Sequence, residues 1–385
     1  MRTKLGEIAG VFLKLGFTAF GGPAAHIALM HGEFVERRKW VSDQGFLDIL
    51  GAANLIPGPT STEAALMLGF VRARWAGLVT AGVCFIAPAM AMVLGLSWAY
   101  VRYGTTPAAG WLLYGIKPVI IAIIFQAFVR LARKAIKGPL TAVAGAAVLV
   151  LYLLRANEIV LLLGGGLAVM AVEMSRRPRK PAGLSPAVVG PVLAGPAFGF
   201  APVAAAAATS ARVFWIFLKI GSVLYGGGYV LFALLRADFV GRLGWLTDRQ
   251  LVDAVAVGQV TPGPLFTSAT FIGYLVGGLS GAVAGTVGIF LPAFVLAAIC
   301  SPFLGRLRGS AWAGSFLDGV NATALGLMAA VTLNLGRAAF PDLFAAGLGA
   351  AALFLLFRFK LSPTWLILGG GLAGLAAWFL PHLFA

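Results

Sequence analysis

Charge is what this chain has least of. Only 11% of its 385 residues are Asp, Glu, Lys or Arg, against 60% hydrophobic, and the mean hydropathy is +0.94. A soluble domain cannot keep that much apolar surface out of water, and uncharged runs of about 20 residues, the length that spans a bilayer, recur throughout. The chain therefore reads as a polytopic membrane protein whose solvent is the lipid bilayer. Cysteine is nearly absent: Cys84 and Cys300 sit in apolar runs without CxxC or Cys/His spacing, so neither a disulfide framework nor a zinc site is implied. Histidine occurs three times, and HExxH, GxSxG and Walker A sequences are missing. No enzyme constellation, metal or cofactor is expected. The start, MRTKLGEIAGVFLKLGF, is basic but lacks a small-residue cleavage site after a short apolar core, so it reads as a mature first segment.

Acid is the scarcer charge, with 13 Asp and Glu against 29 Lys and Arg and a net charge of +16. In a soluble protein that balance would raise nucleic acid as a partner. Here the basic residues sit mostly in short loops between apolar runs, as the positive-inside tendency requires, and nucleic acid is not expected. A cationic background favours an anionic substrate.

What is present is a duplication. Residues 11–60 align on 216–265 with a constant shift of 205, and 17 of the 50 positions are identical. VFLKLGFTAFGG matches IFLKIGSVLYGG, FVERRKWVSDQGFLD matches FVGRLGWLTDRQLVD, and PGP matches PGP. With a one-residue slip Pro88 falls on Pro292 and Gly115 on Gly319, and each half ends on a GGGLA segment at Gly164–Gly166 or Gly369–Gly371. The boundary is placed near residue 185 in a proline-spaced linker with a basic cluster at Arg176, Arg177, Arg179 and Lys180, giving repeats 1–185 and 186–385.

Basic residues in corresponding loops alternate with opposite phase. Arg130, Arg133, Lys134 and Lys137 follow the fourth run of the first half and only Arg337 the fourth of the second, while Arg72 and Arg74 have no counterpart. Corresponding loops then lie on opposite faces, an inverted repeat. The expected fold is all-α, each half having about five transmembrane helices plus a re-entrant or broken PGP helix, roughly ten spans and two hairpins in all. Pro-Gly-Pro removes donors and cannot be helical through its centre, so it survives at membrane depth only if buried in protein or lining a watery cavity. HGEFVERRKWVSDQ reads as interfacial, with Trp40 and Trp245 as anchors and Ser42 and Thr247 as N-caps.

The candidate substrate-binding residues follow from these breaks. Pro57-Gly58-Pro59 is followed by Thr60, Ser61, Thr62 and Glu63, and Pro262-Gly263-Pro264 by Thr267 and Ser268. A helix restarting there aims free N–H groups and its positive end at the cavity, with the hydroxyls as further donors for an oxyanion; the alternative is that they only cap the helix. Gly21-Gly22 and Gly226-Gly227 either unwind the first helix opposite the PGP break or serve close packing. Lys14 and Lys219 occupy matching places in the first runs, in an anion path or snorkelling to the interface. His26, replaced by Leu231 in the other half, is a one-sided candidate donor. Glu63 either accepts a coupling proton or salt-bridges Arg72 or Arg74. Asp48 and Asp253 read as first-turn carboxylates of the PGP run, and Lys117 is a further candidate for the anion path.

With Phe20-Gly21-Gly22-Pro23, His26, Trp40 and Pro57-Gly58-Pro59-Thr60 in hand, the chain resembles the chromate ion transporter family over nearly its whole length. Long members of that family are two homologous halves in one chain, with FGGP and PGP motifs in the first. The second half departs, having Gly228 where the first has Pro23. The resemblance implies chromate efflux and resistance at a bacterial-type inner membrane, with sulfate or a related oxyanion as the alternative substrate. A second copy of the chain is a candidate partner. Moving a dianion out of a negative interior gains about 4.6 kcal/mol per 100 mV, twice the single-charge value, so export requires no coupled ion.

Overall fold

The computed structural model describes residues 2–20, 22–154, 156–176, 209–225, 228, 230–303, 311–359 and 361–383. The expected boundary near 185, the basic residues Arg177, Arg179 and Lys180, and Gly21, Gly226 and Gly227 lie outside them. Among the described residues the regular elements are all helical.

The first apolar run turns back on itself. Helix α1 (Arg2–Thr18) stops before Gly22, whose φ of 79° suits glycine, and α2 (Pro23–His31) starts on Pro23 and continues into a π turn, Gly32–Arg37. Phe12 stacks on Phe34 at 5.1 Å and Arg38 bonds Glu7 at 2.7 Å, so the two arms run antiparallel, with Ala19, Phe20 and Gly22 at the tip between them.

The PGP run is a second hairpin. Helix α3 (Asp43–Ala53) begins on Ser42, whose Oγ accepts from the Gly45 amide at 3.1 Å, the expected cap. The chain turns at Pro57-Gly58-Pro59 and leaves through the start of α4 (Thr60–Tyr103), which folds sharply at Ala73–Arg74. Gly69 and Gly77 touch backbone to backbone across that fold, although eight residues of straight helix would hold them about 12 Å apart. Arg72 then meets Glu7 at 2.7 Å, back at the face where α1 began. Residues 75–103 cross fully, followed by α5 (Pro107–Ala135), α6 (Pro139–Leu153) and α7 (Glu158–Arg176).

The second half repeats this order with α8 (Ser210–Val223), α9 (Leu231–Leu235) and its π turn Arg236–Arg242, α10 (Asp248–Val260), and α11 (Ser268–Cys300) folded at Gly277–Gly278. The hydroxyls of Thr270 and Thr286 meet at 2.7 Å, where a straight helix would separate them by about 24 Å. Three crossings complete it: α12 (Ala311–Ala339), α13 (Leu343–Arg358) and α14 (Pro363–Leu383). The broken PGP helix is thus present in both halves, and the first run of each, expected to cross, is a further hairpin.

An exposed apolar stripe runs along α11. Leu279, Val283, Val287, Leu291, Val295 and Ile299 are all exposed at every fourth position, a stripe of about 30 Å that matches the hydrocarbon core. Five helical stretches are long and apolar enough to span a membrane, and α6, α13 and α14 are shorter apolar helices.

The repeats are inverted. Counting crossings from the fold in α4, Glu158 lies on the face opposite Arg72, and Arg242, at the mouth of the second half's hairpins, bonds Glu158. Tyr114 with Asp342 (2.7 Å) and Lys137 with Asp318 (2.6 Å) pair ends that this arrangement places together. The halves also interlock: Gly115 of α5 packs against the backbones of Gly370 and Gly374 in α14, and Gly319 of α12 against Gly166 in α7. The GGG segments are contact points that let helices of opposite halves approach closely.

Candidate functional site

Four chain breaks meet at the centre of the molecule. The Gly58 amide donates to the Leu224 carbonyl at 2.8 Å and the Gly263 amide to the Ala19 carbonyl at 2.9 Å. The shift of 205 carries Gly58 onto Gly263 and Ala19 onto Leu224, so the two bonds are related by the same pseudo-two-fold. Each PGP break is held against the hairpin tip of the other half. Gly58 (φ 144°) and Gly263 (φ 93°) take a backbone that side chains strain, and all six residues of the two PGP segments are buried.

In the first half the amides of Thr62 and Glu63 donate to the Pro59 carbonyl at 2.7 and 3.0 Å. Those of Thr60 and Ser61, at the first two positions of the restarted helix, have no intrahelical acceptor. Thr62 and Glu63 are fully buried, and neither Oγ1 of Thr62 nor either carboxyl oxygen of Glu63 has a hydrogen-bond partner among the described residues. Glu63 bridges neither Arg72, which pairs with Glu7, nor Arg74, which stacks over Phe70. Its carboxyl reaches back over the break, since a side chain on Gly58 would collide with Oε1.

His26 is tied to the tip of its own hairpin. Its Nε2 lies 2.9 Å from the Ala19 carbonyl, which can only accept, so Nε2 carries the proton and Nδ1 faces the Ser61 hydroxyl at 3.3 Å. His26 therefore joins the FGGP break to the helix that restarts after PGP. Thr60 reaches Asn54 at 3.5 Å.

The second half differs. Thr267 and Ser268 donate to the carbonyls of Pro264 and Leu265, each at 2.9 Å, and so close their own turn. Beside them Gln259 is buried with its Nε2 unpartnered. Sequence reasoning missed this residue, although Asn54 and Gln259 are matched amides at the same distance before each PGP.

The matched lysines part company. Lys219 pairs with Asp238 at 2.5 Å, Asp238 with Arg242 at 2.7 Å, and Arg242 with Glu158 at 2.5 Å, a chain of charges across the second half's mouth. Lys14 is exposed in a shallow groove with Glu7, and its would-be partner Glu33 is bound by Arg37 and Arg38. Burial pushes the Glu33 carboxyl up, but hydrogen bonds and charge from Arg38 and Arg37 outweigh it and hold the group below its ordinary value.

Asp48 and Asp253 are not first-turn carboxylates, because the helices begin earlier, at Asp43 and Asp248. Asp253 is instead buried between Lys117, at 3.3 Å, and the Tyr100 hydroxyl, at 2.9 Å, both from the first half. Asp48 accepts from Gln44 at 3.1 Å. Among the described residues no group of three or more His, Cys, Asp or Glu could hold a metal ion.

A family profile described as "Chromate transporter" matches residues 6–170 and again 211–375, two stretches related by the same shift of 205. The chain belongs to the chromate transporter family. It is 32% identical over 389 residues to the chromate transport protein of Cupriavidus metallidurans, covering 98% of this chain and 94% of that one. It is 34% identical over 382 residues to the chromate transport protein of Pseudomonas aeruginosa (94% and 90% covered), and 30% identical over 386 to a probable chromate transport protein of Synechococcus elongatus (97% and 96%). No solved structure matches the chain.

Proposed function

We propose that this protein exports the chromate dianion across a bacterial-type inner membrane by alternating access, and so confers chromate resistance. The substrate class is supported by the names of its full-length relatives. The observation that carries the mechanism is the pair of crossed bonds at the breaks, Gly58 to Leu224 and Gly263 to Ala19, which puts two interrupted helices at one buried point.

The oxyanion rests there on the amides of Thr60 and Ser61, the Thr62 hydroxyl and the Gln259 amide, with the PGP segments and Gly22 as walls. His26 orients Ser61. Thr267 and Ser268 join when their turn opens. Lys14 and Lys219 stand five residues before the tips, on the way in from opposite faces. Arg72, Arg74, Arg130, Arg133, Lys134, Lys137 and Arg358 share the first face, which makes it cytoplasmic. Lys14 is then free on the cytoplasmic side while Lys219 is locked on the outer side, as suits a carrier that loads from the cytoplasm.

Interlocked helices argue against two halves that rock as whole bodies. The parts free to move are the hairpins, which shift against a scaffold of α5–α7 and α12–α14.

The test is chromate uptake into inside-out proteoliposomes under an interior-positive potential, with sulfate as competitor. Saturable uptake that follows the potential and survives sulfate supports the reading. Flux that sulfate suppresses completely moves the substrate to sulfate or a related oxyanion, and no flux of either ion removes the function.

A further inference from the structure

Glu63 has no evident structural task. It forms no salt bridge, caps nothing and has no acidic equivalent, since the shift places Ser268 opposite it. A carboxylate without a counter-charge is costly in an apolar interior, and an ionisable side chain at membrane depth marks a substrate path or a proton relay. This one is fully buried, both its oxygens are unpartnered, and it reaches back to Gly58, in front of the helix end where the oxyanion rests.

The groups around it come from four elements. Ser61 and Thr62 share its helix, and His26 approaches from α2 through Ser61. From the second half, Tyr225 at the tip before α9 and Cys300 at the end of α11 lie within its electrostatic reach. None of them supplies a permanent positive charge, and no lysine or arginine among the described residues pairs with Glu63.

We infer that Glu63 is a proton-binding site that travels with the substrate, so that one proton accompanies each oxyanion dianion. An ionised Glu63 beside a dianion would put three negative charges around one helix end. Occupancy of the site by the dianion therefore requires the protonated acid, which offers its O–H to an oxyanion oxygen. After the dianion leaves and water enters, the carboxylate itself takes the positive end of the restarted helix and gives its proton to that water. Because linkage is reciprocal, the proton raises dianion affinity by the same factor as the dianion raises proton affinity. The loaded carrier then moves one net negative charge instead of two, and the potential still drives it outward.

This rests on the oxyanion-transport reading, and the experiment separates the two. Proteoliposomes holding the wild-type protein are set with a chromate gradient at alkaline pH, where chromate is the dianion, and the potential that just stops net chromate flux is measured with and without a pH gradient. The wild-type protein is expected to move one charge per chromate, with a null potential that shifts with the pH gradient and an internal pH dye reporting protons moving with chromate. Glu63→Gln keeps shape and a donor but binds no proton, so whatever chromate it carries is expected to move with two charges and no pH shift. Two charges per chromate and no pH shift in the wild-type protein overturn the inference while leaving transport intact. So does proton movement that persists in Glu63→Gln, which would assign the proton to the substrate. If Glu63→Gln carries nothing, the wild-type null potential decides alone. Absence of chromate flux in the wild-type protein is a failure of the transport reading instead.

Discussion

The amide of Gly58 donates to the carbonyl of Leu224 across 2.8 Å, joining the break of one half to the break of the other. With its mirror, Gly263 to Ala19 at 2.9 Å, it fixes four interrupted segments at one point inside an inverted repeat. Irregular backbone persists at membrane depth only where protein or a cavity satisfies it, and here each break satisfies part of the other.

Alanine at these glycines tests that arrangement. At φ 144° and φ 93° a side chain costs roughly 1–2 kcal/mol, and the added methyl meets Glu63 at position 58 and the Cβ of Ala89, at 2.8 Å, at position 263. Gly58→Ala and Gly263→Ala are each expected to cut chromate flux at least about tenfold, with a fall in thermal stability of that order. Flux assays and unfolding in detergent, run side by side, separate the two losses.

The buried pair of Lys117 and Asp253 spans the halves, with Lys117 18% and Asp253 4% exposed at the side chain. Removing one partner strands the other, at a cost of roughly 3 kcal/mol. Lys117→Met is therefore expected to destabilise the protein strongly, and the double change with Asp253→Asn to recover most of the loss. A double-mutant cycle by thermal unfolding reads the coupling; additive losses would show that the pair does not interact.

Lys39 adopts φ 51°, and the equivalent residue in the second half, Gly244, adopts φ 62°. Lys39→Gly is expected to stabilise the protein by about 1 kcal/mol through relief of that strain. Unchanged or lowered thermal stability would mean the lysine side chain compensates for its backbone.

Acid should loosen the first half's interfacial cluster. The folded protein holds the Glu33 carboxyl below its ordinary value, so the stability it contributes is complete above the unfolded carboxylate range and is lost as pH falls through the folded value. Unfolding midpoints measured down through the carboxylate range should fall less in Glu33→Gln than in the wild-type protein. Parallel falls would assign the acid sensitivity elsewhere.

Duplication, inversion and the PGP breaks were legible because each leaves a one-dimensional trace: a constant shift, a phase of basic loops, and a donor-free tripeptide. The hairpin of α1 and α2 was not, because Gly-Gly-Pro reads as unwinding or as close packing, and neither reading turns the chain back. Only the meeting of Phe12 with Phe34 and of Glu7 with Arg38 decides it. Pairing was likewise invisible. Lys14 and Lys219 are equal in sequence, yet only Lys219 finds its acid, since Arg38 takes Glu33 and the second half has Leu243 in place of that arginine.

The most direct measurement is equilibrium binding of chromate to the purified protein, comparing wild type with Gly58→Ala, Gly263→Ala and Thr62→Val. A saturable site weakened at least about tenfold by each change, in variants that remain folded, is what an oxyanion held at the joined breaks predicts. Binding that all three leave unaltered would place the substrate elsewhere and contradict the account.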